Sequence, residues 1–328
     1  MIEPLSVGTL KLVNNMALAP MAGITNAVFR LLAGEGGAGL CVTEMISAES
    51  IKYNNRKSFK MLELMPGEKA VAVQIFGSDP GSMALAAAAA EKAGAAAVDI
   101  NAGCPVKKIL RSGAGAELMK KPCLLADIVY RVRRNVKVPV TVKFRVGLVR
   151  GNILSPELAR VCEEAGASAL TLHGRYACDF HSGEPDLEAV FKTASAVKIP
   201  VFGNGGIDSP AMAEKYFAAG CRGISVGRAA IYNPYIFSEI KAFINDGVNI
   251  SVQDSDRLKL FWRFLKLNSG LYGEQQGLVR ARKLIGYWLK NIPEASSMRQ
   301  AFMRVSTLSQ AEELLIRYIP GIDLDNGD

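Results

Sequence analysis

The sequence predicts a (β/α)8 TIM barrel followed by a small all-α helical domain, and three observations carry that prediction. Eight short apolar runs alternate with helix-like stretches from residue 16 to about 240, the order of a parallel sheet wound with crossover helices. One junction of helix, glycine and buried strand recurs as EKAGAAAV, EEAGASAL and FAAGCRGISV, as expected where a glycine ends a helix in the left-handed conformation. No G-x-G-x-x-G follows an early strand, which disfavours a doubly wound dinucleotide fold and leaves the closed barrel.

In chain order, strands are expected over 16–19, 40–43, 70–75, 96–100, 140–144, 169–172, 201–202 and 223–226, each a short apolar run. Helical spacing between them covers 81–93, 124–136, 156–165, 187–197 and 210–218. Several of these begin at proline or serine and end near glycine. The polar stretch DGVNISVQDSD then reads as a linker. This gives a barrel over 1–243, a linker over 244–255 and a separate helical domain over 256–328. In that tail LKLFWRFLKLN, GLVRARKLIGYWLK, SMRQAFMRVS and AEELLIRYI place apolar residues at helical spacing with basic residues between.

Composition narrows the class. With 328 residues, 49% hydrophobic and 21% charged, the chain can bury a sizeable core, which excludes disorder, collagen and a disulfide-stapled mini-protein. Lysine and arginine number 39 against 31 acidic residues, a formal +8. The window 256–318 holds 11 basic residues (Arg257, Lys259, Arg263, Lys266, Arg280, Arg282, Lys283, Lys290, Arg299, Arg304, Arg317) and 5 acidic ones, so +6 sits in the tail. Such a surface suits a polyanionic partner. Six scattered cysteines without a C-x-x-C pair, and two histidines, disfavour a zinc site and fit reduced thiols. The opening MIEPLSVGTL lacks a basic, apolar leader, and the Ala-rich run at 83–90 is too short to span a bilayer, so a cytoplasmic protein is expected.

The strand ends hold the unusual residues, where a barrel of this kind places its active site. In order they are APMAG, TEM, QIFG, NAGCP, KFR, HGR, GNGG and GR. The glycines after the seventh and eighth strands, Gly205, Gly206 and Gly227, together with Arg228, form a candidate phosphate cradle. Lys143 interrupts an apolar run; burying it unpaired is costly, so a cation beside a cofactor that becomes anionic on reduction is its better use. Gln74 offers an amide that both donates and accepts, as a ring edge requires. His173 ends the next strand; a lone strand-end histidine is more often a hydrogen-bonding residue than a catalyst, but as a neighbour of Lys143 it would face the same ligand. Cys104 lies in a loop between Asn-x-Gly and Pro, unlike Cys41, Cys162 and Cys221 among apolar neighbours. An ordinary thiol is mostly protonated at neutral pH, so a cysteine there can act as a general acid.

Together these motifs resemble the dihydrouridine synthase family, FMN-dependent enzymes that reduce uridine in RNA, mainly tRNA. The stretches that match are APMAGITNAVFR, GLCVTEMISA, VQIFG, DINAGCPVKKILRSGAGAELM, VTVKFRVG, LTLHGR, VFGNGGI, GISVGRAAIYNPYIF and RKLIGYWLKNIP. VTEMISA leans toward the bacterial B-type subgroup. The resemblance implies FMN contacts at Pro20, Met21, Ala22, Gln74, Lys143, His173, Asn204, Gly205, Gly206, Gly227 and Arg228, and a proton-donating cysteine at Cys104. It also implies reduction of the flavin by NADPH (or NADH), hydride transfer from flavin N5 to uracil C6, and protonation of C5 by Cys104. The chain departs from the family after HGR, where Tyr176-Ala177 replace Thr-Arg, His181 replaces the tyrosine of Tyr-x-Gly, and Leu187 replaces a tryptophan. Two other classes compete. One is a small-molecule FMN oxidoreductase of the dihydroorotate or dihydropyrimidine dehydrogenase type, which needs no basic tail. The other is a non-catalytic RNA-binding protein, which needs neither Cys104 nor Lys143.

Overall fold

The computed structural model describes residues 1–289, 294–318 and 324. Lys290, counted above among the basic residues, the end of RKLIGYWLKNIP and the last residue of AEELLIRYI lie outside the described residues.

Eight parallel strands close into a barrel: Met16–Leu18, Leu40–Val42, Val71–Phe76, Ala97–Asn101, Val140–Arg145, Ala169–His173, Val201–Asn204 and Gly223–Val226. Closure is seen in the pairing of the last strand with the first, Ser225 opposite Ala17. The expected strands all form, and four run on to include a polar residue: Asn101, Arg145, His173 and Asn204. Those side chains therefore start from ladder positions rather than from loops. The repeated glycine junction behaves as its sequence requires. Gly94, Gly166 and Gly220 each take a positive φ directly after a helix, at 95°, 100° and 82°, so the chain turns sharply into the next strand.

Among the described residues, three strands form beyond the eight expected. An antiparallel hairpin, Leu5–Val7 with Leu10–Leu12, precedes the barrel. Its Leu5, Val7 and Leu12 pack with Ala17, Leu40, Ala72, Ala97, Ala169 and Phe202 in one buried cluster, so it plugs the barrel end remote from the site. Strands of three residues show too little alternation to stand out in sequence. A short strand at Ile46–Ser47 pairs with Ile75 and Phe76.

Beyond the barrel, helix Ile236–Asp246 ends at left-handed Gly247. Helices Asp254–Tyr272, Glu274–Trp288, Ala295–Phe302 and Leu308–Tyr318 follow. Phe261 holds the ring of Trp288 at 5.3 Å and that of Phe302 at 5.6 Å between centroids. Truncating a buried aromatic of this kind costs about 3–5 kcal/mol. The first two helices approach so closely that a Cβ at Gly277 would stand 2.5 Å from Ser269 Cα. They are also tied to the barrel. Asn268 accepts from Asn26 Nδ2 at 3.0 Å, and Arg263 pairs with Glu35. Among the described residues, no helix is long and apolar enough to cross a membrane.

Candidate active site

Alternation within the strands builds the site. In VTVKFR the apolar Val140, Val142 and Phe144 are fully buried, while Thr141, Lys143 and Arg145 share the opposite face. On the neighbouring strand Asp99 and Asn101 take the same face, and register sets Gln74 beside Asp99 and Asn101 beside Lys143. His173 stands between Arg145 and Asn204. Polar side chains from successive strands thus point to one end of the barrel.

All twelve residues singled out from the sequence line a single cavity of about 610 Å³ there: Pro20, Met21, Ala22, Gln74, Cys104, Lys143, His173, Asn204, Gly205, Gly206, Gly227 and Arg228. That volume falls within the usual range of about 300–1,000 Å³ for small-molecule sites. The lining also includes residues the sequence reading gave no role: Asn101, Arg145, Arg175, Phe180, His181, Tyr232 and Tyr287. Asn101 and Arg145 could have been found from their spacing two residues from Asp99 and Lys143. Tyr287 could not, since it arrives from helix Glu274–Trp288.

A chain of hydrogen bonds runs from a buried carboxylate to the Cys104 loop. Asp99 accepts from Thr141 Oγ1 at 2.6 Å and from Gln74 Nε2 at 2.7 Å. Gln74 Oε1 then accepts from Asn101 Nδ2 at 2.9 Å, and Asn101 Oδ1 accepts from the backbone N–H of Cys104 at 3.0 Å. Because Asp99 as carboxylate only accepts, the orientation of both amides follows. Gln74 keeps one N–H and one lone pair unused by this chain. Arg145 Nε donates to Gly103 O at 3.0 Å, and the N–H of Ala116 donates to Cys104 O at 3.0 Å. The turn beneath is tight, since a Cβ at Gly115 would lie 2.6 Å from Cys104 O. Cys104 is therefore half-buried in the cavity wall on a backbone held from three sides.

The opposite side is held from the first loop. Glu68 grips Arg30 at 2.7 Å in a buried ion pair, and Arg30 donates to Thr25 O at 2.9 Å. Thr25 Oγ1 accepts from the N–H of Met21 at 3.1 Å. The helical region closes over this loop, where a Cβ at Gly23 would meet Lys283 Nζ 2.9 Å away.

The electrostatics favour an anionic ligand. Among the described residues, the lining carries Lys143, Arg145, Arg175 and Arg228 against a single carboxylate, Asp208. Lys143 Nζ donates to Asn204 Oδ1 at 2.7 Å, and Lys143 forms no ion pair with a carboxylate among the described residues. Burial, with Arg145 adding to it and Asp99 opposing, pulls Lys143 from 10.5 down to about 7. Burial and the neighbouring cations hold His173 well below its usual range, and among the described residues the buried His173 Nε2 has no hydrogen-bond partner. His181 is also lowered, by partial burial and by Arg145, Arg228 and Arg175. Burial raises the Asp99 carboxyl, while the bonds from Thr141 and Gln74 oppose the rise. The Gly205-Gly206 turn has φ of 108° and 71°, and a Cβ at Gly205 would stand 2.5 Å from His173 Cδ2. Side chains are excluded there.

The Lys143 shift has a testable sign. In the folded, ligand-free protein Lys143 releases its proton near pH 7, whereas in the unfolded chain it keeps it to about pH 10.4. Between those values the unfolded state binds more protons, so Lys143 contributes rising stability as pH increases from about 7 to 10. Urea unfolding of the parent and Lys143→Met across this range is expected to show that rise in the parent and its loss in the variant. Parallel curves would show that Lys143 is not buried as a strained cation.

A family model described as Dihydrouridine synthase (Dus) matches residues 17–320. The chain is 38% identical over 301 residues to tRNA-dihydrouridine synthase B of Pseudomonas syringae pv. tomato, covering 91% of this chain and 89% of that protein. It is 35% identical over 321 residues to tRNA-dihydrouridine synthase B of Vibrio cholerae, covering 97% of this chain and 99% of that protein. Among solved structures, morphinone reductase superposes with a TM-score of 0.53 at 13% identity, over 73% of this chain and 88% of that one. A 2-naphthoyl-CoA reductase does so with a TM-score of 0.56 at 14% identity, over 72% and 51%. These two likenesses are of fold, and they match the closed barrel seen here.

Proposed function

From the premise that the chain belongs to the dihydrouridine synthase family, an oxidoreductase family, we propose that it reduces specific uridines in tRNA to 5,6-dihydrouridine with FMN and NAD(P)H. The observation that carries this reading is the convergence of Cys104, Lys143, the unpartnered His173 Nε2 and the glycine turns on one cation-rich cavity. These residues fit FMN. The N–H groups of Gly205, Gly206 and Gly227 with the Arg228 guanidinium would hold its phosphate. Lys143 and the unused donor and acceptor of Gln74 would hold the polar ring edge, with Pro20, Met21, Ala22, Asn204 and His173 completing the wall. When bound, FMN supplies hydride transfer from a nicotinamide to a pyrimidine.

The chain's own residues do the rest. Cys104 donates a proton to uracil C5, and its sulfur is afterwards reprotonated from solvent. The Asp99–Gln74–Asn101 chain and Arg145 fix the loop that carries the thiol, so the acid is placed before substrate arrives. Lys143 offsets negative charge that builds on the reduced cofactor. Basic residues of the helical region, among them Lys259, Arg263 and Lys266 or Arg280, Arg282 and Lys283, would meet RNA phosphates. Such contacts offset the few kcal/mol needed to turn a uridine out of its stack.

The deciding assay offers the FMN-loaded protein and NAD(P)H an unmodified tRNA transcript, free uracil and orotate. Dihydrouridine should form in the transcript, with negligible turnover of either free pyrimidine. Reduction of the free pyrimidines alone would transfer the protein to the small-molecule class.

A further inference from the structure

We propose that Phe180 is a stacking platform for the nucleobase that neighbours the target uridine in the RNA substrate, an inference that rests on the reading above. Phe180 sits at φ 50° and ψ −92°, a left-handed conformation that a bulky L side chain rarely adopts and that ligand-binding turns tolerate. The turn is held there by its surroundings. Asp179 accepts from Arg150 Nε at 2.8 Å and from the N–H of Ser182 at 2.8 Å, and the N–H of Phe180 donates to Ala177 O at 3.2 Å. Farther along, Arg175 Nε donates to Gly183 O at 2.7 Å and Arg228 donates to His181 O at 3.3 Å.

This anchoring does not bury the ring. Phe180 is 49% exposed, yet it lines the same cavity as Cys104. Interior packing therefore does not explain an aromatic on a strained turn. Its setting does. Arg150, paired with Asp179 on the same turn, keeps its side chain 70% exposed to solvent. An exposed ring on a turn that also carries an exposed arginine is the arrangement that holds single-stranded nucleic acid, charge for the backbone and a π-face for the base. The chemistry supplies the need. Turning a uridine into the barrel leaves its neighbour without a stacking partner, and a ring at the mouth replaces the lost face. The adjacent His181 ring is occupied with His173, 6.0 Å away between centroids at an interplanar angle of 26°, so Phe180 is the ring with a face to offer.

The test compares Phe180→Leu, Phe180→Trp and Phe180→Gly as full-length, FMN-loaded proteins acting on an unmodified tRNA transcript. Phe180→Leu keeps apolar bulk but loses the π-face, and KM for the transcript should rise about 10-fold. Its kcat should stay within about twofold and its FMN affinity unchanged, since the ring serves RNA binding rather than the chemical step. Phe180→Trp should keep the parental KM, with added indole emission that falls when transcript is bound. Phe180→Gly removes the backbone strain, so it should unfold at no lower urea concentration than the parent while showing the KM of Phe180→Leu. An unchanged KM in Phe180→Leu, or a loss of FMN affinity there, overturns the proposal, as does a Phe180→Gly protein that is destabilised at parental KM. A parent that reduces no transcript overturns the functional reading itself, and the platform with it.

Discussion

Replacing Cys104 with alanine is expected to suppress dihydrouridine formation about 10²- to 10⁴-fold, the range lost when a positioned general acid is removed. The expectation follows from how the loop is built. Asn101 Oδ1, Arg145 Nε and the N–H of Ala116 all bond backbone atoms of Gly103 or Cys104. Alanine therefore leaves the loop in place and removes only the sulfur. FMN affinity and the slow oxidation of NAD(P)H by oxygen should match the parent, because neither needs an acid at C5. Cys104→Ser should recover little, since a hydroxyl is a far weaker acid than a thiol. Parental turnover in Cys104→Ala would remove the thiol from the mechanism.

Lys143→Met should slow reduction of the bound flavin by NAD(P)H about 10²- to 10³-fold, the loss seen when one preorganised charge-stabilising donor is deleted. Lys143 is held in position through Asn204 at 2.7 Å, and Asn204 is itself fixed by donating to Ser225 O at 2.7 Å. Methionine keeps the apolar stem and removes the charge, so the fold should survive with equal or greater stability. Two measurements separate this role from a packing role. The reduction potential of the bound flavin should fall in the variant, and stopped-flow traces should show the flavin-reduction step slowed while tRNA binding is unchanged. A parental potential and rate would show that Lys143 does not face the reducible ring.

The strands and helices of the barrel were legible because each is a local pattern closed by a glycine or proline. The twelve candidate residues meet in one cavity because they lie at or just after strand ends; eight of them stood out by residue type and position, and Pro20, Met21, Ala22 and Asn204 only through the family resemblance. The buried support was harder to see. Reading VTVKFR as an apolar run broken by one lysine hid its alternation. Thr141, Lys143 and Arg145 share one face, and with Asp99 and Asn101 they line the barrel interior. A period-two reading would have joined them. The hairpin at the barrel base was too short to signal itself. Phe180 and Tyr287 were invisible for another reason. Their places in the cavity wall depend on a turn conformation and on a distant helix folding back, neither of which has a local sequence signature.

The departures after HGR also gain a physical setting. Tyr176 is buried, and its hydroxyl donates to Asp186 Oδ2 at 2.8 Å. Asp186 in turn caps helix Leu187–Ala194 by accepting from the N–H of Ala189 at 2.9 Å. The residue standing in place of the usual threonine thus braces the loop that carries Phe180 and His181. Nothing in the structure explains Leu187.

The most direct measurement is a crystal structure of the protein with FMN bound. The account predicts the isoalloxazine ring inside the 610 Å³ cavity, its phosphate on the N–H groups of Gly205, Gly206 and Gly227 beside Arg228, Lys143 against the ring, and Cys104 Sγ facing the open side. A flavin bound elsewhere, or a sulfur turned into the barrel wall away from the ring, would contradict it.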